Sequence, residues 1–150
     1  MNGILFVCTG NTCRSPMAEF LLKDILKKRG ITDVKVASAG ISVEAGDKIN
    51  DKAKAVLKKN GIKSRGFKSK NITREDLENF DLILCMTQNH KNALPKSDKI
   101  KTLGEVVDMP DVGDPYGGSE AVYNLCFQQL KSETEKLADL LFPSKSDKND

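Results

Sequence analysis

Short apolar runs alternate with amphipathic stretches along this chain. Ile4-Leu5-Phe6-Val7 is a continuous apolar run, the pattern of a strand buried on both faces of a parallel sheet. A polar turn follows from Thr9 to Arg14, and then Ser15-Pro16 reads as the N-cap and first residue of a helix. Ala18, Leu21, Leu22, Ile25 and Leu26 recur at helical spacing, and Gly30 ends the element. Val34, Val36 and Ala37-Ser38-Ala39-Gly40 predict a second strand. A short helix is expected from Lys52 to Asn60, closed by Gly61. Thr73 and Asp76 form a capping-box pattern opening a helix that runs to Phe80. Leu82 to Met86 is another buried strand, and Thr87 caps a short helix reaching about Leu94. Ile100 to Leu103 is expected as a strand, followed by a Gly/Pro/Asp-rich loop from Met109 to Gly118. A long helix from Ser119 to Phe142 comes last, with Val122, Leu125, Cys126, Leu130, Leu137 and Leu141 on its buried side.

Strands alternating with helices predict an α/β fold, doubly wound around a parallel sheet. With 150 residues and no visible linker, a single domain over 1–142 is expected, with a polar, frayed tail over 143–150. In such folds ligands bind at the carboxyl ends of the strands, so the loop after the first strand is the first candidate site.

Composition narrows the function classes. Hydrophobic residues make up 39% and charged residues 30%, which fits a folded domain rather than a disordered chain. The net charge is +3, from 24 basic and 21 acidic residues mixed along most of the chain, so nucleic acid is not an expected partner. Lys-rich stretches such as Lys58-Lys59 read as a solvated helix face. No run approaches the roughly 18 apolar residues of a membrane helix. The Ile4–Val7 run is too short for a secretory signal, so a cytoplasmic protein with reduced cysteines is expected. Cys8, Cys13, Cys85 and Cys126 do not form paired metal-ligand motifs and there is one His, so no metal site is expected.

The segment Cys8-Thr9-Gly10-Asn11-Thr12-Cys13-Arg14-Ser15 carries the chemistry. It lies between a buried strand and a helix N-terminus, where unpaired N–H groups and the helix dipole attract an anion. Gly10 allows the backbone to curl so that N–H groups point inward. Arg14 offers a planar fork of donors to two phosphate oxygens. A cradle for a phosphate dianion also favours the thiolate form of a cysteine at its base, which makes Cys8 the candidate nucleophile. Asn11 and Ser15 are short polar residues suited to bracing the loop. A cysteine and an arginine at this spacing are a weak signal alone; the octet in its strand–loop–helix setting is a strong one.

The octet resembles the phosphate-binding loop of the low-molecular-weight protein tyrosine phosphatases, and Asp114-Pro115-Tyr116-Gly117-Gly118 resembles their acid loop. The similarity runs from Ile4 to about Leu141, including Ser38-Ala39-Gly40 and Asp81 to Thr87. The resemblance implies a four-stranded parallel sheet flanked by helices and no metal or organic cofactor. It implies Cys8 as nucleophile, Arg14 as phosphate clamp and Asp114 as general acid, with Thr9 to Ser15 surrounding the phosphate. It also makes a reversible Cys8–Cys13 disulfide plausible, against a packing role for Cys13. Asp111 is the fallback acid, and Tyr116 is expected at the pocket mouth.

One residue departs from the commoner tyrosine-specific pattern. A bulky aliphatic residue usually precedes the second loop cysteine, and here that position is Thr12. Threonine there resembles the bacterial branch that acts on phosphoarginine. Its smaller, hydroxyl-bearing side chain suits a guanidinium, whereas an aliphatic wall suits an aromatic ring. The bland alternative is a threonine that fits the turn with its hydroxyl satisfied locally. The expected function is a cysteine-dependent protein phosphatase, phosphoarginine favoured over phosphotyrosine, with phosphorylated proteins as partners and a monomeric state. A thiol-dependent arsenate reductase would need further cysteines after the third strand, where only Cys85 occurs. A non-catalytic phosphopeptide-binding module would not need nucleophile, clamp and acid together. Cys85 and Cys126 read as core residues and His90 as a surface residue.

Overall fold

The computed structural model describes residues 2–143. The chain runs β1 Gly3–Cys8, α1 Arg14–Lys28, β2 Lys35–Gly40, α2 Asp51–Lys59 and α3 Arg74–Asn79. It continues through β3 Leu82–Cys85, α4 Gln88–Asn92, β4 Ile100–Thr102, α5 Leu103–Val107 and α6 Glu120–Leu141. The strands form one four-stranded parallel sheet in the order β2-β1-β3-β4. The chain moves from β1 out to β2, then crosses back past β1 to β3. The strand order therefore reverses at β1, and the crevice at its carboxyl end is where such sheets bind ligands. Cys8 ends β1, paired with Gly40 at the end of β2.

Successive side chains on a strand face opposite sides, so β1 divides its apolar run between two cores. Ile4, Phe6 and Cys8 pack with residues of α1, α2, α5 and α6. Leu5 and Val7 pack on the other face with Ile83, Cys85, Phe80 and Leu77. Helices thus cover both sheet faces, as the alternating pattern predicts. Period two also places Cys8 on the α1 side, where the helix N-terminus begins.

Three local readings are corrected by the structure. The strand expected over Ile100–Leu103 ends at Thr102, whose hydroxyl accepts from the Glu105 N–H in a capping box that opens α5. On α6 the buried stripe is Tyr123, Cys126, Phe127, Leu130 and Leu137, whereas Val122 and Leu125 are exposed. The large aromatic side chains of Tyr123 and Phe127 bury more apolar area, and they set the rotation of the helix. Helix α1 begins at Arg14 with Cys13 as its N-cap and without a side-chain cap. The Ser15 hydroxyl is used elsewhere. The expected polar tail lies, from residue 144 onward, outside the described residues.

Candidate active site

Four backbone carbonyls of the Cys8–Thr12 stretch are held from outside the loop. Ile41 N–H donates to Cys8 O, Ser42 N–H to Thr9 O, Ser69 Oγ to Asn11 O and Asn50 N–H to Thr12 O, all within 3.0 Å. A trans peptide points its C=O and the following N–H in opposite directions. Anchoring the carbonyls outward therefore turns the next N–H groups toward the loop's centre, the arrangement of a nest that suits an anion, at the start of α1.

The left-handed turn that closes this nest falls on Asn11, at φ 55°, and not on Gly10. A Cβ at Gly10 would meet only Thr12 Oγ1 at 3.8 Å, so that glycine is not sterically required. Asparagine tolerates the conformation best among residues with a side chain, and here it is held by three bonds. Asn11 Nδ2 donates to Ser15 Oγ (2.8 Å) and Ser38 Oγ (2.9 Å), and its Oδ1 accepts from Lys70 N–H (3.0 Å). The Ser38 hydroxyl donates to Glu19 Oε1 at 2.6 Å, and Lys23 pairs with Glu19 Oε2. The close approach that does need glycine is at Gly40, where a Cβ would lie 2.5 Å from Thr9 O and 3.0 Å from Asn11 N. Ser38, Gly40 and Glu19 were not singled out as site residues from sequence. Glu19 and Lys23 at i,i+4 look like an ordinary exposed helix pair until Ser38 closes over the carboxylate.

Cys8 Sγ is buried and lies 2.9 Å from Ser15 Oγ. Ser15 Oγ accepts from Asn11, and its own proton has two acceptors within reach, the sulfur at 2.9 Å and Ala39 O at 3.5 Å, of which the sulfur is the nearer. Arg14 is also buried. Its Nη1 donates to Val112 O at 3.1 Å, and its Nη2 lies 3.5 Å from Thr9 Oγ1 and 3.7 Å from Asp114 Oδ2. Val112 is in turn tied to the end of β3 through Met86 O. Asp114 therefore faces the phosphate loop from across the pocket, with its side chain 54% exposed. Its other oxygen accepts from Tyr116 N–H, so the Asx turn also forms. Asp111 is engaged elsewhere, accepting from the Gln88 N–H at the start of α4.

Cys8, Thr9, Gly10, Thr12, Cys13, Arg14, Asp114 and Tyr116 line one cavity of about 190 Å³. Larger hollows of about 360, 440 and 250 Å³ exist, between α1 and α6, beside Pro95 and beside Ile62, but none of them is lined by a cysteine. Tyr116 is 74% exposed at the cavity mouth. Cys13 Sγ lies 3.3 Å from the Tyr123 hydroxyl, and burial pushes its thiol up. Burial pushes Cys85 and Cys126 up to about 12, so both are inert core thiols. All four cysteines are free. His90, expected on the surface, is instead buried against Thr9, and burial aided by the Arg14 charge pulls its pKa down to about 4.

The sequence matches the family described as low molecular weight phosphotyrosine protein phosphatase over residues 3–147. The chain belongs to this family. It is 39% identical over 145 residues to a protein-arginine-phosphatase of Bacillus subtilis (strain 168), covering 92% of this chain and 95% of that one. The crystal structure of a low molecular weight protein tyrosine phosphatase from T. tengcongensis superposes with a TM-score of 0.90 at 39% identity, covering 94% of this chain and 100% of the other. A YwlE arginine phosphatase mutant with a phosphorylated active-site serine superposes with a TM-score of 0.88 at 37% identity, covering 96% and 98%. The protein is thus a protein phosphatase of the low-molecular-weight family, with arginine and tyrosine phosphatases as relatives at equal identity. Among the described residues no helix is long and apolar enough to cross a membrane, and no group of three or more His, Cys, Asp or Glu is placed to hold a metal ion.

Proposed function

We propose that this phosphatase hydrolyses phosphoarginine on proteins through a phosphocysteine at Cys8. The observation that carries the substrate reading is the state of Thr12. Its side chain lines the cavity, and its hydroxyl meets Cys13 Sγ at 3.7 Å, a weak bond. The hydroxyl is therefore available to a polar substrate. A guanidine leaving group brings several N–H donors, and the cavity offers it Thr12 Oγ1 and the Asp114 carboxyl group.

In the first step Cys8 Sγ attacks phosphorus in line with the leaving nitrogen. The S–P bond forms and the P–N bond breaks, while Arg14 and the loop N–H groups hold the phosphoryl oxygens. Asp114 gives its proton to the departing guanidine nitrogen. In the second step water attacks phosphorus, and Asp114, now a carboxylate, takes the water's proton. The S–P bond breaks and Cys8 leaves as thiolate, stabilised by the Ser15 hydroxyl. Tyr116 forms the outer wall that meets the substrate chain. Cys13, on the same cavity, is the partner for reversible oxidation of Cys8.

The test is phosphate release from matched phosphoarginine and phosphotyrosine peptides by the native protein and Thr12→Ile. The proposal predicts a native preference for phosphoarginine that the isoleucine variant loses. Phosphotyrosine as the better substrate of both proteins would reject the substrate assignment and make Thr12 a turn residue.

A further inference from the structure

His90 lies on α4, on the side of the phosphate loop opposite the Ser15–Asn11–Ser38 network. Its ring is 6% exposed and both nitrogens are engaged. The Thr87 N–H donates to Nδ1 at 3.2 Å, which leaves Nδ1 unprotonated and assigns the ring proton to Nε2. Nε2–H then donates to Thr9 Oγ1 at 2.8 Å. That same oxygen lies 3.5 Å from Arg14 Nη2.

The guanidinium of Arg14 needs two anchors to have a defined plane. Val112 O supplies one at Nη1. The Asp114 side chain near Nη2 is half-exposed and 3.7 Å away, a loose tether. Thr9 Oγ1, at 3.5 Å, is the nearer oxygen to Nη2, and its place depends on the side-chain rotamer unless something holds it. We propose that His90 is a positioning residue of the catalytic centre, whose Nε2–H holds Thr9 Oγ1 as an acceptor for Arg14 and so fixes the plane of the guanidinium over Cys8. This rests on the reading of the Cys8 loop as the phosphate cradle, and it is independent of whether arginine or tyrosine carries the phosphate. Burial and the Arg14 charge keep the ring neutral above about pH 4, so the donor persists across the working range.

His90 also caps α4, since its Nδ1 closes the capping box with Thr87. Two substitutions separate the roles. In His90→Asn the short amide reaches the Thr87 N–H but not Thr9. In His90→Gln the longer amide reaches Thr9 but gives up the cap geometry. The readouts are kcat/KM on para-nitrophenyl phosphate, the calorimetric affinity for inorganic phosphate, and Tm. Loss of one positioning hydrogen bond predicts a roughly three- to tenfold fall in kcat/KM and in phosphate affinity for His90→Asn, with Tm close to native. His90→Gln is predicted to keep both within about twofold of native despite a lower Tm. Native affinity and turnover in His90→Asn would overturn the inference, as would a His90→Gln impaired as much as His90→Asn. Should the Asn variant fail to fold, Thr9→Val, which keeps the shape and removes the Oγ1 that His90 holds, takes its place: the same fall is predicted, and native affinity and turnover would overturn the inference. A native protein inactive on phosphoarginine would sink the substrate proposal while leaving these ratios unchanged. Absence of phosphate binding in the native protein would sink the cradle itself and this inference with it.

Discussion

Glu133 on α6 is fully buried, neither carboxyl oxygen is in good hydrogen-bonding geometry, and the Gln129 amide one turn back and the Lys136 charge offset only part of the cost of burial. Burial raises its pKa from an ordinary 4.5 to about 7. Below pH ~4.5 the group is protonated whether the chain is folded or not, and its ionisation adds nothing to the stability balance. Between pH ~4.5 and 7 the unfolded chain releases the proton while the folded protein keeps it, so stability falls as pH rises. Above pH ~7 the penalty is complete and constant. A shift of that size corresponds to at most about 3 kcal/mol. Glu133→Gln has nearly the same shape and no charge, so it removes the penalty. The variant is predicted to gain stability over native as pH rises, by roughly 2 kcal/mol more at pH 8 than at pH 5. Urea unfolding of both proteins at the two pH values measures this, and Tm should shift by roughly 2–4 °C per kcal/mol in a domain of this size. A native–variant difference independent of pH, or a variant less stable at pH 8, would refute a buried, unpaired Glu133.

Three further outcomes follow from the site. Asn11→Ala loses three side-chain hydrogen bonds and places alanine at φ 55°. It should lower unfolding free energy by roughly 3–5 kcal/mol and reduce kcat, as measured by urea titration and steady-state assay. Asp114→Asn should reduce kcat by about 10²–10⁴ with a largely unchanged Tm, because the side chain is half-exposed and loosely held. After mild peroxide, mass mapping should find a Cys8–Cys13 disulfide in the native protein, whereas Cys13→Ser should accumulate over-oxidised Cys8.

The strand–loop–helix setting of the Cys8–Ser15 octet could be read from sequence because its parts are local. A buried strand, a polar octet and Pro16 at a helix start are contiguous, and their geometry follows from neighbours along the chain. The supporting shell could not be read because it is assembled by the fold. Ser38 on β2 and the Lys70 N–H in the loop before α3 reach Asn11, and Glu19 on α1 holds Ser38 in turn; each alone resembles a surface residue. His90 reaches Thr9 across 81 positions, so no spacing rule points to it. Gly10 is where the sequence places the curl of the loop, because glycine is the usual left-handed residue; Asn11 takes that role because its side chain is bonded on both ends. Helix α5 was missed although Thr102 and Glu105 stand at capping-box spacing, because the apolar residues up to Leu103 continue the strand pattern. On α6 two apolar stripes compete, and only packing against α1 and α2 shows that Tyr123 and Phe127 face inward.

The central claim is that Cys8 takes the phosphoryl group directly from phosphoarginine. The most direct measurement is rapid mixing of the native protein with a phosphoarginine peptide, quenching within a turnover and mapping the phosphorylated residue by mass spectrometry. The account predicts phosphocysteine at Cys8, accumulating at the expense of phosphoarginine and absent in Cys8→Ser. Phosphate release without a phosphoryl group on Cys8, or with unchanged release by Cys8→Ser, would contradict it.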